Sequence, residues 1–442
     1  MGAAISYKYT NNYSKLHGKR TMTVVIDENI TDLASCCTYE DDAVGMPSGK
    51  SIEATNAWQE FFGYKPCLFK NGRVVGYLNP NDYSKFEDGS SADITSGDAG
   101  DVMIEFPKRG LKISKTNDNK LRVTITDNIE DQTYTYYAFT RDKLNYSPFN
   151  HQELNQVDNF YLGVYPSYFM IGGELQSKSG TRASTTSGLD EKYGVYGSVE
   201  HYAHELVRNK GTGYELMTFF QLVYIQAMYL LQFKNPKVTS ALGYDGNRTG
   251  VSRLWCGDGD QLGLVYANDS SGGTNPSKLF GMEHLSTNAN QLIDGLIIDG
   301  LNHNNWRTCI ACDGFDSVPD IMSRPQRTGW TELDYRFQAI DGRNDNGWIK
   351  SIALYKIGSY PDDEDFPAFL PNTEASEYGT YNTTYGFRQN LEIYQQDGIS
   401  EYCTYVMGGG YVGGGPDGIF SFIIQNAGEV DGIGAYARIS YY

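Results

Sequence analysis

The stretch Gly213–Asn235, GYELMTFFQLVYIQAMYLLQFKN, is the longest apolar run in the chain, and Pro236 closes it. Leu216, Phe219, Phe220, Val223, Ala227, Leu230 and Leu231 recur at spacings of three and four, the period of an α-helix. Leu222, Ile225, Met228 and Phe233 occupy the other faces, so the helix is apolar nearly all round. Such a helix is either the buried centre of a large domain or a membrane span. Glu215, Gln221, Gln226 and Gln232 interrupt the run before the roughly 18 uninterrupted apolar residues of a span accumulate, which predicts a buried centre.

Working outward, a first helix is expected over Val199–Arg208, with Gly211 and Gly213 separating it from the central one. Upstream, Thr21–Ile30 contains a strand and Ala54–Phe62 a short helix. Two strands are expected to meet at Asn71-Gly72, the favoured two-residue hairpin turn. Asn79–Gly100 reads as a polar loop. Val102–Phe106, Leu111–Ser114, Leu121–Asp127 and Gln132–Thr140 read as a meander with period-two alternation. Phe160–Ile171 is expected to form a strand pair, and the Ser/Thr/Gly-rich Ser177–Gly188 an exposed loop. Beyond Pro236, strands are expected at Val251–Tyr266, Gln291–Asp299, Trp348–Ile357 and in the last forty residues or so.

The 442 residues carry 35 Tyr and 49 Gly but only 20 % charged residues. Tyr combines a large ring with a hydrogen-bonding tip and suits contact surfaces; Gly supplies turns and bulges. The net charge of −18 disfavours nucleic acid and anionic membranes as partners. The seven cysteines, Cys36, Cys37, Cys67, Cys256, Cys309, Cys312 and Cys403, are odd in number and scattered, a poor disulfide framework. They read as free thiols of a chain made in a reducing cytoplasm. The first residues lack a signal-peptide h-region, so release by lysis or within a particle is expected rather than secretion.

Several patterns invite chemistry. His201 and His204 lie three apart beside Glu205, but the zincin spacing places the Glu between its two ligands, so surface histidines are the default reading. Cys256-Gly257-Asp258-Gly259-Asp260 has the D-x-D rhythm of calcium loops without the terminal Glu of an EF-hand, and a solvated turn is favoured over a bound calcium. The pairs Asp41-Asp42 and Asp362-Asp363-Glu364-Asp365 offer carboxylates with no means of pairing them. No G-x-S-x-G nucleophile elbow occurs. In Phe280-Gly281-Met282-Glu283, Gly281 permits a tight turn and Glu283 can accept backbone N–H bonds, a structural latch rather than an acid catalyst.

Taken together, the segments TVVIDENITD, TYEDDAVGM and GYLNPNDYSKFEDGSSADITSGDAGDVMIEFPKRGLKI resemble bacteriophage tail-fibre and related virion proteins. These have a strand-rich leading part and a domain of C-type-lectin-like fold, shared with formylglycine-generating enzymes and the targets of diversity-generating retroelements. The order continues in Gly211–Leu222, Asn235–Gly246, Lys278–Gly295, Gly408–Phe422 and Ile433–Tyr442. Tyr411 stands where Trp is commoner, and Tyr436 and Ala437 lengthen the terminal motif.

The resemblance spans roughly residues 21–442. It implies an α+β chain: an attachment arm over 1–20, a β-rich N-terminal domain over 21–150, and a C-type-lectin-like domain over 151–442 around the central helix. The enzyme branch needs a cysteine pair near the end of its core, where this chain has only Cys403, so no catalytic residue is expected. The expected function is a non-enzymatic virion protein, a tail fibre, tail tip or head fibre, binding a host-cell surface glycan or protein. Its receptor face would comprise Tyr411, Asp417, Gln425, Asn426, Glu429 and Asp431, with Trp306 in the loop Asn302–Trp306 as a stacking platform. Other virion proteins would engage the N-terminal region, and a homotrimer is implied. No cofactor is expected beyond a structural calcium, and neither nucleic acid binding nor membrane insertion. A carbohydrate-active depolymerase, with two carboxylates about 5–10 Å apart, and a purely structural virion component are the alternatives.

Overall fold

The computed structural model describes residues 18–30, 32–118, 120–140, 156–170, 173–184, 203, 206–243, 254–267, 275–285 and 290–299. In the last third it describes 306–310, 331–337, 345–349, 352–353, 369–371, 377–378, 389–393, 403–408, 419–420, 422–426 and 435–442. The chain is strand-rich with few helices, as an α+β or mostly-β architecture requires.

The central helix runs from Phe219 to Phe233, and each of its residues is buried. None of the helices is long and apolar enough to cross a membrane among the described residues. Its N-terminus is a capping box: Gln221 N–H donates to Thr218 Oγ1, and Thr218 N–H donates to Gln221 Oε1 at 2.9 Å. Lys234, in the left-handed region at φ 49°, ends it. The buried amides serve as anchors, with Gln226 Nε2 donating to Ile419 O at 2.6 Å and Gln232 Nε2 to Gly49 O at 3.2 Å. The helix is shorter than its apolar run. Gly213, at φ 93°, turns the chain, and Tyr214–Leu216 is a strand paired with Ile439–Tyr441. Leu216 fits the helical spacing by coincidence, because a buried strand is apolar too.

A four-stranded sheet has the order Cys37–Asp41, Thr21–Ile26, Leu121–Thr126, Gly110–Lys115. Val24, Ile26, Val123 and Ile125 from this sheet are buried in the same core as the central helix. The short helix Ile52–Phe62 starts at Ser51, whose side chain accepts Ala54 N–H, and ends at Gly63 at φ 79°. It contributes Trp58, Phe61 and Phe62 to that core.

A seven-stranded sheet has the order Tyr214–Leu216, Ile439–Tyr441, Asn159–Gly163, Asp101–Pro107, Lys65–Lys70, Arg73–Asn79, Asp82–Phe86. The expected hairpin is present: Asn71 at φ 52° and Gly72 at φ 75° have the two positive dihedrals of a type I′ turn. This sheet unites strands from both sides of residue 150 and from the C-terminus.

Local expectations differ from the structure in other places. Gln132–Thr140 is a turn followed by a 3₁₀ turn at Tyr137–Phe139. Asp131 captures Thr133 N–H at 2.9 Å, and Tyr137 and Phe139 are drawn to Phe220 and Tyr224 of the central helix. Phe160–Ile171 holds two strands that do not pair with each other. Ser177 and Ser179 are buried rather than exposed, since Ser177 Oγ donates to Val102 O and accepts Tyr165 N–H. Asn79–Gly100 includes the strand Asp82–Phe86, while among the described residues of Val251–Tyr266 the strand is Trp255–Cys256.

Asn290–Asp299 belongs to a nine-stranded sheet with Trp306–Ile310, Thr331–Phe337, Cys403–Gly408, Phe422–Asn426, Gln389–Ile393, Asp345–Ile349 and Glu377–Tyr378; Ala435–Tyr436 pairs beside it.

Candidate functional site

The turn Lys278–His284 builds a polar hub inside the apolar core. Phe280 at φ 51° and Gly281 at φ 85° reverse the chain between two short strands, Lys278–Leu279 and Met282–Glu283. A Cβ at Gly281 would lie 2.6 Å from both Ile104 Cδ1 and the Tyr83 hydroxyl, so only glycine fits. Glu283 accepts Gly257 N–H at 2.9 Å and Gly259 N–H at 2.8 Å. The latch expected from the sequence is thus formed, and it straps down the Cys256–Asp260 loop. Lys278 returns the contact, donating to Gly259 O at 2.8 Å with its ammonium 4.0 Å from the Tyr83 ring centroid.

Asp260 accepts from the Ser179 hydroxyl at 2.5 Å and from the Tyr165 hydroxyl. Asp260 is thus engaged by protein hydroxyls, and the Gly257 and Gly259 N–H groups serve Glu283. Among the described residues no group of three or more His, Cys, Asp or Glu is set to hold a metal ion.

Arg438 closes the hub from the C-terminal strand region. Its Nε donates to Gln291 Oε1 at 2.8 Å, Nη1 to Gly163 O at 2.5 Å and Val164 O at 2.9 Å, and Nη2 to Glu283 O at 2.7 Å. The two cations, Lys278 and Arg438, are matched by two carboxylates, Glu283 and Asp260, as burial of charge demands. Burial pushes Arg438 down to about 9 and pushes Asp260 up against its hydroxyl donors. Burial likewise drives Lys278 below and Glu283 above their ordinary ranges, each opposed by the other's charge. Lys278, Glu283 and Arg438 are 0 % exposed. Around Lys278, Glu283 and Arg438 the hub is therefore a buried scaffold that locks loops. Arg438, Lys278, Tyr165 and Gln291 carried no signal in local sequence; the bonds they make in the hub reach partners from 19 to 275 residues away.

Of the residues expected on the receptor face, Trp306 begins the strand Trp306–Ile310, and Gln425 and Asn426 end the strand Phe422–Asn426. The register runs Thr308–Ile298–Thr404–Asn426 across four strands. Trp306 lies two positions beyond that row and three strand spacings, about 14 Å, from Asn426. Chain ends at Asp299, Trp306, Cys403 and Asn426 therefore share one end of the nine-stranded sheet. Gly408, which pairs with Gln291 and Phe422, lies at the other end. Tyr411, Asp417, Glu429 and Asp431 lie outside the described residues, as do His201, His204, Glu205, Asn302–Asn305, Asp362–Asp365 and most of the 1–20 arm. In sequence, Tyr411 follows Gly408 by three residues, and Glu429 follows Asn426 by three.

Gly408 and Asn426 thus lie at opposite ends of the sheet, and the strand Cys403–Gly408 spans roughly 20 Å. No protein-family model and no curated protein sequence matches the chain.

Proposed function

We propose that the chain is a non-enzymatic structural protein of a bacteriophage particle, a tail fibre, tail tip or head fibre, that binds a host-cell surface glycan or protein. In this reading the second half has a C-type-lectin-like fold, other virion proteins contact the N-terminal region, and the chain works as a homotrimer in the virion.

One observation supports the reading above others. The three resembling segments Gly211–Leu222, Lys278–Gly295 and Ile433–Tyr442 are bound to one another. Tyr214–Leu216 pairs with Ile439–Tyr441, Met217 O accepts Asp294 N–H at 2.9 Å, and Arg438 reaches both Glu283 and Gln291. Fixed order in sequence and mutual bonding are what a shared scaffold requires. The receptor contacts fall to the end of the nine-stranded sheet that carries Trp306, Gln425 and Asn426.

The test is binding of labelled full-length protein to intact bacteria and to their extracted surface polysaccharide, with reducing ends assayed in the same samples. Saturable binding that Asn426→Ala weakens at least tenfold, without sugar release, is expected. Sugar release would replace the reading with a depolymerase. Neither binding nor release would leave a purely structural virion component. Tyr411→Ala is measured separately.

A further inference from the structure

Away from the hub, the turn Asp32–Cys36 brings two thiols together beside the four-stranded sheet. Cys36 N–H donates to Asp32 O at 3.0 Å, and the Asp32 carboxylate accepts Ala34 N–H at 3.1 Å and the Ser35 hydroxyl at 2.9 Å. Asp27 N–H donates to Cys36 O at 2.8 Å. Cys37 then begins the strand Cys37–Asp41, opposite Ile26. Within a strand, adjacent side chains point to opposite faces. Cys36 still belongs to the turn, so that alternation does not separate the pair, and the two Sγ atoms lie 3.6 Å apart.

Both thiols are reduced and buried, Cys36 at 1 % and Cys37 at 4 % exposure, while their chain neighbours Ser35 and Thr38 are exposed. The hydrogen bond to Cys36 and then burial push the Cys37 thiol up, and the Lys234 charge acts against them. A thiol so held reacts slowly. Adjacent Cα atoms, about 3.8 Å apart across a trans peptide, fall below the usual disulfide span of about 4.4–6.8 Å, so a bond between these sulfurs is strained and readily reduced. Strained disulfides are the labile, regulatory ones.

We propose that Cys36 and Cys37 form a reversible oxidation site that reacts with hydrogen peroxide and closes to a vicinal disulfide. The Cys37 sulfur, the more exposed, bonds to one peroxide oxygen; the O–O bond breaks, water leaves, and a sulfenic acid remains. In this step the sulfur is oxidised by two electrons and the peroxide is reduced. The Cys36 sulfur, 3.6 Å away, then attacks the Cys37 sulfur. The S–S bond forms, the S–O bond breaks, and a second water leaves. Two thiols and one peroxide thus give one disulfide and two waters. The new ring contains the Cys36–Cys37 peptide, so closure rotates the Cys36 carbonyl that holds Asp27 N–H and loosens the turn from the strand Thr21–Ile26.

The test exposes native full-length protein to hydrogen peroxide overnight, with dimedone present to trap sulfenic acid. Remaining thiols are then alkylated after unfolding and the peptides mapped by mass spectrometry. The expected result is loss of two hydrogens from the peptide that holds both cysteines, reversed by dithiothreitol, with no dimedone adduct at either. Cys36→Ala and Cys37→Ala each remove the resolving thiol, and dimedone is expected to label the one that remains. In the oxidised wild type, hydrogen exchange at Asp27 N–H is expected to quicken about tenfold, a readout that needs neither variant. Both thiols surviving in the wild type would overturn the proposal, as would a dimedone adduct or sulfinic acid at either, or a disulfide to another cysteine. Unchanged exchange at Asp27 in the oxidised form would overturn the loosening of the turn.

Discussion

Replacing Arg438 by Met removes the guanidinium while keeping an unbranched side chain that fills part of its space. Gly163 O, Glu283 O and Gln291 Oε1 then lose the guanidinium donor, as does Val164 O, which keeps the Glu283 N–H at 2.9 Å. Each buried acceptor left unsatisfied costs about 1–3 kcal/mol. The loss is partly offset because a charge held down to about 9 by burial no longer has to be desolvated. Glu283 and Asp260 then keep Lys278 beside them, with His284 Nε2 4.0 Å from Glu283. The net expectation is a loss of about 3–5 kcal/mol, the range for breaking a buried charge network. With a urea slope of about 3 kcal/mol per M, the unfolding midpoint falls by roughly 1–1.7 M. Arg438→Lys retains the charge but only three donors on a different geometry, and falls between the two. The assay is equilibrium urea unfolding of the full chain, followed by tryptophan fluorescence. A change of less than about 1 kcal/mol in Arg438→Met, at unchanged slope, would refute the hub as a source of stability.

Further expectations can be checked one by one. Gly281→Ala should destabilise by about 2–4 kcal/mol, combining positive-φ strain with contacts at 2.6 Å. Gly89→Ala, at φ 87° with nothing within 4 Å of the added atom, should cost only about 1 kcal/mol, both read from urea midpoints. Cys36, Cys37, Cys67 and Cys256 are buried, so iodoacetamide mapped by mass spectrometry should label them only after unfolding; native labelling at Cys67 or Cys256 would contradict the packing described. The Asp93 carboxyl is lowered to about 2, chiefly by the Ser96 hydroxyl and then by the Ser96 and Thr95 N–H groups. Because this value is depressed, its small stabilising effect is present above the ordinary carboxylate range and is lost as pH falls through about 2. Carbon-detected NMR titration should show that midpoint, and Ser96→Ala should move it back toward 3.8.

Sequence alone determined the features whose causes are local. The apolar run around Leu222 and Leu230 demanded a buried helix, and Thr218 with Gln221 supplied its capping box. Asn71-Gly72 fixed the hairpin because those two residues tolerate positive φ at low cost. Gly281 and Glu283 announced a tight turn with a carboxylate free to accept N–H bonds, and that latch is present. Tertiary structure decided what depends on distant partners. Tyr214–Leu216 is a strand because Ile439–Tyr441 lies beside it, although its apolar residues fit a helix equally well. Gln132–Thr140 alternates like a strand, yet its aromatic rings gain more by packing on Phe220 and Tyr224. Arg438 acquires its role only where Gly163, Glu283 and Gln291 surround it. The placement of Trp306 and Asn426 at one end of the nine-stranded sheet likewise follows from strand register, which period-two patterns leave open until the neighbouring strands are in place.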